Sequence, residues 1–223
     1  MPESTESGEQ EQQKVTNYFD THAQDFDTIY EERKGSVRRL RDRLSRGTVT
    51  ERLTFVRDFA AREKPSTLLD VGCGAGRFSV PLAQAGARVV GIDPADAMVA
   101  MATDRAKEAG VSAQCRFVEA DYLLWDAGER FELSLGIGLF DYMRDPVPML
   151  TKITADTNGN VIASFPKRWH PLVPLRKIRL GMAGCPVFFY ERSDVEELGR
   201  EHLASFTVST LGRDFMLIGR TAP

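Results

Sequence analysis

Apolar positions in the first 64 residues recur every three or four places, which is the spacing of an amphipathic helix. One such run extends from Val15 to Tyr30. A second extends over about 36–62, and we expect it to break near Gly47 because glycine is a poor helix former. Residues 1–13 are rich in Glu, Gln and Ser and lack this period, so we predict a disordered tail followed by a helical cap over 14–64.

From Pro65 the pattern changes to short apolar runs that alternate with amphipathic helices. Strands are predicted at TLLDV, ARVVGID and AQCRFVE, with one helical segment between each pair. Because a single crossover helix returns the chain to the same end of a sheet, these strands pair in parallel. Further strands are predicted at 131–137 and 160–165, with a helix from Pro146 to about Ala155 between them.

The end of the chain predicts a helix, SDVEELGREHL, and then two strands, SFTVSTL and DFMLIGR. Only Gly212 and Arg213 separate these strands, and a two-residue connection permits only antiparallel pairing. The sequence therefore predicts an α/β fold over 65–223: a Rossmann-like, doubly wound, seven-stranded sheet with an antiparallel last strand.

The first strand runs directly into three alternating glycines in LLDVGCGAGRFS. Gly72, Gly74 and Gly76 let the backbone turn sharply and let a ligand lie against it, since no side chain occupies that space. A dinucleotide site spaces its last glycine one residue further and needs small residues after it. Arg77 and Phe78 stand there instead, which weakens the dinucleotide interpretation.

Acidic residues follow at the ends of the strands. Asp93 ends the second strand, where a carboxylate can accept both hydroxyls of a ribose that lies across the turn. Asp121 follows the third strand and can accept from an exocyclic amine of adenine. Asp70 ends the first strand, next to the glycines, where it favours a positive group on the ligand.

These residues together resemble the class I S-adenosylmethionine-dependent methyltransferases, which also insert their last strand antiparallel. Within that group, NYFDTHAQDFD and GARVVGIDPADAMVAMA are similar to the small-molecule enzymes of the ubiquinone and magnesium-protoporphyrin type. The resemblance implies S-adenosylmethionine (SAM) as cofactor, with S-adenosylhomocysteine (SAH) as product. The cofactor-binding residues that it implies are Asp70, Gly72, Cys73, Gly74, Gly76, Asp93, Pro94, Met98, Asp121, Tyr122, Gly136 and, from the N-terminal helix, Tyr18.

Acceptor residues are expected in the loops that follow the fourth and fifth strands, because ligands of open α/β sheets bind beyond the carboxyl ends of the strands. Phe140 and Tyr142 follow the fourth strand, between the expected positions of the methyl group and the acceptor; packing of the loop is the alternative. After the fifth strand we predict a lid at about 166–190, too long for an ordinary connection. Its basic and aromatic side chains predict an acceptor that is anionic and partly aromatic or apolar, and a lid with only a structural role is the alternative. The residues that we expect to bind the acceptor are Lys167, Arg168, Trp169, Arg176 and Tyr190.

Two catalytic candidates stand out. The imidazole of His170 titrates near neutrality and is the best general base that the sequence offers. Tyr142 is the second candidate. A histidine that only bonds to the backbone of the loop is an alternative at least as good. Methyl transfer from a sulfonium needs chiefly the collinear positioning of the reacting atoms, so no strong base need exist.

Charge and composition limit the classes of partner that we expect the protein to bind. The net charge of -3 and the isoelectric point near 5.7 argue against a nucleic acid partner, and no apolar run approaches the roughly 20 residues that span a bilayer. The polar, acidic N-terminus differs from a secretory signal, so we expect a cytoplasmic protein, monomeric or homodimeric. Cys73, Cys115 and Cys185 are widely separated, and neither a disulfide framework nor a metal site is predicted.

Four functions compete at this stage. An S-adenosylmethionine-dependent methyltransferase that acts on a small molecule fits all the motifs. A non-catalytic protein of the methyltransferase fold, or an RNA methyltransferase, is the alternative. A nicotinamide oxidoreductase fails on the glycine spacing and on the antiparallel ending.

Overall fold

The computed structural model describes residues 13–21, 36–169 and 185–222, and for 36–49 it describes the backbone alone. Seven strands form one sheet in the order β3-β2-β1-β4-β5-β7-β6. The strands are β1 (Thr67–Val71), β2 (Arg88–Asp93), β3 (Cys115–Glu119), β4 (Phe131–Gly136), β5 (Thr157–Pro166), β6 (Ser205–Leu211) and β7 (Asp214–Arg220).

Helices cover both faces of the sheet. Buried side chains from α2, α3 and the end of α4 pack on one face, and those of α5 and α6 pack on the other. The described helices are α1 (13–21), α2 (Ser36–Glu63), α3 (Ser79–Gln84), α4 (Asp96–Glu108), α5 (Val147–Ala155) and α6 (Arg192–His202), and a 3₁₀ turn spans Phe140–Tyr142.

Strand pairing confirms the predicted topology. The first five strands pair in parallel, whereas β7 lies between β5 and β6 and runs antiparallel to both. The two-residue connection at Gly212 and Arg213 closes the β6–β7 hairpin as expected, with Leu211 opposite Asp214. The predicted doubly wound sheet with an antiparallel last strand is therefore present.

The expected break near Gly47 is wrong, because α2 is continuous over its 28 residues. One interior glycine costs a helix only about 1 kcal/mol, which neighbouring turns and packing readily offset. Val56 and Ala60 supply such packing, since both are buried against the sheet.

Some of the predicted N-terminal features lie outside the described residues. Of the helix predicted from Val15 to Tyr30, residues 15–21 are described and are helical, as are residues 13 and 14 before them. Residues 1–12 of the predicted tail and the rest of that first helix are not described.

The predicted lid begins and ends beside β5. Lys167 and Tyr190 form an isolated bridge, and the Tyr190 amide donates to the Pro166 carbonyl at 2.9 Å. Pro166 and Tyr190, which are 24 positions apart in the sequence, thus meet at the carboxyl edge of β5. Most of the lid, residues 170–184, lies outside the described part of the chain.

Close packing of α6 on the last hairpin gives a test of the fold. An ideal Cβ on Gly199 would lie 2.5 Å from the Phe206 ring, so Gly199→Ala forces that ring or the helix to move. We expect the overpacking to exceed the gain in helix propensity and to lower the free energy of unfolding by about 1–2 kcal/mol in urea titrations. Glu197→Ala on the exposed face of the same helix is the matched control, and an unfolding free energy for Gly199→Ala that equals it would contradict the prediction.

Candidate functional site

The three glycines form a tight turn, residues 72–76, between β1 and α3. Gly72, Gly74 and Gly76 all have positive φ, at 70°, 50° and 71°. Glycine adopts this left-handed region without the steric cost that a side chain brings. The Gly72 and Cys73 amides both donate to the Ile92 carbonyl, at 2.8 and 3.0 Å, which fixes this glycine turn to the end of β2.

Asp93 ties the glycine turn to the start of α4. Its Oδ2 accepts from the Gly74 amide at 2.9 Å, and its Oδ1 accepts from the Ala95 amide at 3.0 Å. An ionised carboxylate has about four acceptor positions, so this pair of bonds leaves capacity for two more. Burial raises the pKa of Asp93 to about 6, while the two amides oppose the rise and the carboxylate of Asp20 adds to it.

Asp70 lies under the same turn and is 1% exposed. The Ser79 hydroxyl donates to its Oδ2 at 2.5 Å. Burial raises the pKa of Asp70 to about 6, and the negative charge of Asp93 contributes to the rise. Two neighbouring carboxylates in a desolvated site repel each other, so a ligand with positive charge would relieve that repulsion.

The N-terminal helix lies over this region. Phe19 packs with the cluster formed by Ala75, Ala95 and Met98, and it makes an edge contact with the Tyr142 ring at 5.2 Å between centroids. Tyr18 contacts Phe19 in turn, at 5.4 Å. The helix therefore lies near the turn, and the contact of Tyr18 with the cofactor stays a prediction.

The remaining predicted cofactor residues occupy distinct places. Cys73 is buried in the turn, and burial raises the pKa of its thiol well above the usual value. Met98 is buried below Phe19, whereas Pro94 is exposed. Asp121 is partly exposed at the end of β3 and accepts from the Leu123 amide at 2.9 Å. Gly136 ends β4, where an ideal Cβ would lie 2.9 Å from the Phe140 ring.

Three aromatic residues that the sequence predicts at the ligands pack their rings in the core, and their contact with a ligand stays a prediction. The Tyr122 hydroxyl donates to Asp156 at 2.7 Å, and the Tyr190 hydroxyl donates to the carbonyl oxygen of Met143 at 2.8 Å. Burial raises the pKa of both phenols. Phe140 is fully buried and stacks on Phe165 at 4.5 Å. Their apolar rings fill the core on the α5 face, and each hydroxyl finds a protein partner there.

A cavity of about 330 Å³ opens beyond the end of β5, and we call it the lid-base pocket. Trp169 at this pocket is 83% exposed. The Lys167 ammonium donates to the Gly212 carbonyl at 2.7 Å, and desolvation lowers its pKa. The Arg168 guanidinium pairs with Glu191 at 2.9 Å. The lining residues are Lys167, Arg168, Trp169, Tyr190, Glu191, Arg192, Ser193 and Phe215.

The structure thus brings four of the predicted acceptor residues together at this pocket, namely Lys167, Arg168, Trp169 and Tyr190. Tyr142 lies apart from them, half-buried under Phe19 near the glycine turn. His170 and Arg176 lie outside the described residues. Their roles as general base and acceptor contact stay predictions.

Sequence reasoning missed residues that support the turn from a distance. Arg105 on α4 donates from Nη1 to the Ala75 carbonyl. Leu139 lies over the turn, since its Cδ1 would be 3.0 Å from an ideal Cβ on Gly72. Asp20 accepts from the Ala97 amide at 3.4 Å. The only local signal was the position of Leu139 directly after a strand, and nothing in the sequence near Arg105 or Asp20 indicates the turn.

Within the described residues no group of three or more His, Cys, Asp or Glu side chains could hold a metal ion. In the same part of the chain, no helix is both long and apolar enough to cross a bilayer.

Comparison with known proteins places the glycine turn in a known domain type. A family model described as "Methyltransferase domain" matches residues 68–155. The ubiquinone biosynthesis O-methyltransferase of Azorhizobium caulinodans is 38% identical over 122 residues, and the match covers 50% of this chain and 48% of that protein. The chain therefore spans about half the length of this curated relative.

Solved structures share the fold over nearly the whole chain. The magnesium protoporphyrin IX methyltransferase from Synechocystis PCC 6803 with bound SAH superimposes with a TM-score of 0.77 and 20% identity. The match covers 93% of this chain and 98% of that one. The same protein with bound SAM gives a TM-score of 0.72. At this identity the likeness establishes the seven-stranded fold with its reversed last strand.

The buried carboxylates predict a dependence of stability on pH. Because the pKa values of Asp70 and Asp93 are raised to about 6, the folded protein binds more protons than the unfolded chain between about pH 4 and 6. Their contribution to the free energy of unfolding therefore falls as pH rises through this window. We expect Asp70→Asn to stabilise the ligand-free protein by about 1–3 kcal/mol at pH 8, and by less at pH 5.

Urea unfolding at both pH values measures the difference. Asp104→Asn is the matched control, because Asp104 lies on the exposed face of α4 with its side chain 70% exposed. An Asp70→Asn variant with the same pH dependence as the wild type would show that Asp70 is charged at no cost in the folded protein.

Proposed function

We propose that this chain, which has the class I methyltransferase fold, is a SAM-dependent methyltransferase that acts on a small molecule. The observation that carries the proposal is the glycine turn with Asp93 bonded across it and Asp70 buried beneath it. Two carboxylates suit a ligand with ribose hydroxyls and positive charge, and they disfavour the phosphates of a nicotinamide dinucleotide. The matched methyltransferase domain and the relatives named as methyltransferases support the same conclusion.

The residues present fit SAM. The turn leaves its backbone uncovered at Gly74, where an ideal Cβ would meet nothing within 4 Å, so a ligand has room against the peptide. Asp93 has acceptor capacity left for ribose hydroxyls, and the charge of Asp70 favours a cationic group. When bound, SAM would supply an electrophilic methyl group on a positively charged sulfur.

The chain's own contribution is chiefly to position the acceptor and exclude water. Helix α1 covers the region through Phe19, and Tyr142 lies beneath it as a candidate for orienting the acceptor. Holding two reactants in line is worth about 7–11 kcal/mol of a barrier, more than a base supplies in most reactions. A proton acceptor such as His170 is therefore of secondary importance in this proposal.

The proposed acceptor is anionic and partly aromatic. The lid-base pocket presents Lys167 and Arg168 beside the exposed indole of Trp169, a combination that suits a carboxylate or phosphate on a flat body. The name of the curated relative, an O-methyltransferase, supports oxygen as the accepting atom.

Loss of Asp93 tests the cofactor assignment. We expect Asp93→Ala to weaken SAM binding at least about 100-fold in calorimetry, because two charge-assisted hydrogen bonds are lost at about 1.5–3 kcal/mol each. His170→Ala should leave SAM affinity unchanged. Asp104→Ala, on the exposed face of α4, is the control. Undiminished SAM affinity in a folded Asp93→Ala protein would refute the assignment. A wild-type protein that binds SAM tightly but methylates no acceptor would favour a non-catalytic role.

Removing the positive charges of Lys167 and Arg168 in the lid-base pocket tests the class of the acceptor. With radiolabelled SAM as methyl donor, we expect Lys167→Gln/Arg168→Gln to raise the KM for 3,4-dihydroxybenzoate roughly tenfold or more, since a charge-assisted bond is worth about 1.5–3 kcal/mol. The KM for catechol, which lacks the carboxylate, should hardly change. Arg200→Gln on the exposed side of α6 is the control. An equal rise in the KM for both acceptors would show that the pocket does not recognise the carboxylate.

A further inference from the structure

A buried ion pair joins the N-terminal cap to the last strand. Arg52 on α2 donates from Nε to Asp214 Oδ2 at 2.8 Å, and its Nη2 lies 2.6 Å from Oδ1. The side chains are 10% and 1% exposed. Asp214 is the first residue of β7 and pairs with Pro166, the last residue of β5, so the pair lies at the carboxyl edge of the sheet.

Stability alone is a weak explanation for such a pair. Desolvation of two charges offsets most of their attraction, and well-packed apolar residues in their place are often as stable or more so. The position of the pair offers a better explanation, because it lies at the edge where the proposed ligands bind.

The same guanidinium supports the loop that leaves β4, residues 137–143, which we call the exit loop. An ideal Cβ on Gly138 would lie only 3.2 Å from Arg52 Nη1, and Gly138 has a φ of 76° that favours glycine. The Gly138 amide donates to the buried Ser164 hydroxyl at 2.8 Å. The guanidinium therefore lies against the first turn of this loop.

The exit loop in turn contacts the glycine turn. Leu139 follows Gly138 and places its Cδ1 3.0 Å from an ideal Cβ on Gly72. Tyr142, the candidate acceptor residue, lies three residues further, and its amide donates to the Leu139 carbonyl at 3.2 Å. A continuous set of contacts thus runs from Arg52 through Gly138 and Leu139 to the turn.

Asp214 also reaches the base of the lid. Its charge raises the pKa of Lys167, opposing the effect of desolvation, and the Lys167 amide donates to the Arg213 carbonyl at 3.0 Å. The ion pair therefore contacts or influences both loops that we expect to hold the acceptor.

We infer that Arg52 is a positioning residue: paired with Asp214, it holds the exit loop against the glycine turn and so sets the acceptor relative to the cofactor. The catalytic consequence rests on the proposed function, whereas the effect on the exit loop does not. An error of about 1 Å in the placement of reactants can cost about 100-fold in rate, so loosening this loop should lower kcat more than it changes cofactor affinity.

The double variant Arg52→Met/Asp214→Leu removes the charges and keeps the site apolar and filled. We expect its unfolding to match the wild type closely, for the reason given above. Exchange of the amide protons of Gly138, Tyr142 and Met143, followed by NMR, should be about tenfold faster or more, while that of α4 amides is unchanged. The kcat with 3,4-dihydroxybenzoate should fall about tenfold or more, with SAM affinity within about threefold of the wild type.

Two further variants make the result decisive. Arg88→Gln/Glu129→Gln removes another two-bond Arg–carboxylate pair, at the start of β2, and should leave exit-loop exchange at the wild-type rate. Arg52→Lys keeps the charge but cannot make the bidentate contact with Asp214, so its exit-loop exchange should be intermediate. This variant replaces the double variant if the double variant does not fold.

The outcomes separate this inference from the proposed function. If the double variant folds and its exit-loop amide protons exchange at the wild-type rate, the role of Arg52 is overturned, whether or not methyl transfer is observed. Normal kcat in that protein overturns it as well. A wild-type protein that neither binds SAM nor transfers methyl groups overturns the proposed function alone.

Discussion

The carboxylate of Asp93 is the contact on which the site depends. It accepts one amide from the glycine turn and one from the start of α4, so a single side chain sets the relative position of two loops that follow different strands. The turn can take this shape only because its glycines have positive φ. A short side chain at the end of β2 therefore fixes the backbone against which a ligand would lie.

The negative charges of this arrangement destabilise the folded protein when no ligand is bound. Asp70 and Asp93 are both buried, which raises the pKa of each, and the negative charge of Asp93 raises the pKa of Asp70 further. A folded protein retains such repulsion where the surrounding structure holds the groups in place, which is common at functional sites. A cationic ligand would convert the repulsion into attraction, so the same residues that destabilise the empty protein would favour binding.

Local sequence patterns predicted the sheet, the hairpin and the glycine turn, because each depends on residues close together in the chain. Gly72 to Gly76 and Asp93 could be placed from strand ends alone. The hydrogen bonds of Tyr122 and Tyr190 could not be placed in this way, since their partners Asp156 and Met143 are distant in the chain. Nothing local joins Arg52 to Asp214, which lie 162 residues apart.

The reversed seventh strand has a consequence for how the protein assembles during synthesis. β7 supplies the partner for one whole edge of β5, from Asn160 to Pro166, yet it is synthesised only after β5, α6 and β6. Until then β5 presents an open edge of unpaired amides and carbonyls, and Arg52 lacks its carboxylate. The parts of the site around the glycine turn can form early from neighbouring segments, whereas the region beyond β5 is completed only when β7 has been made.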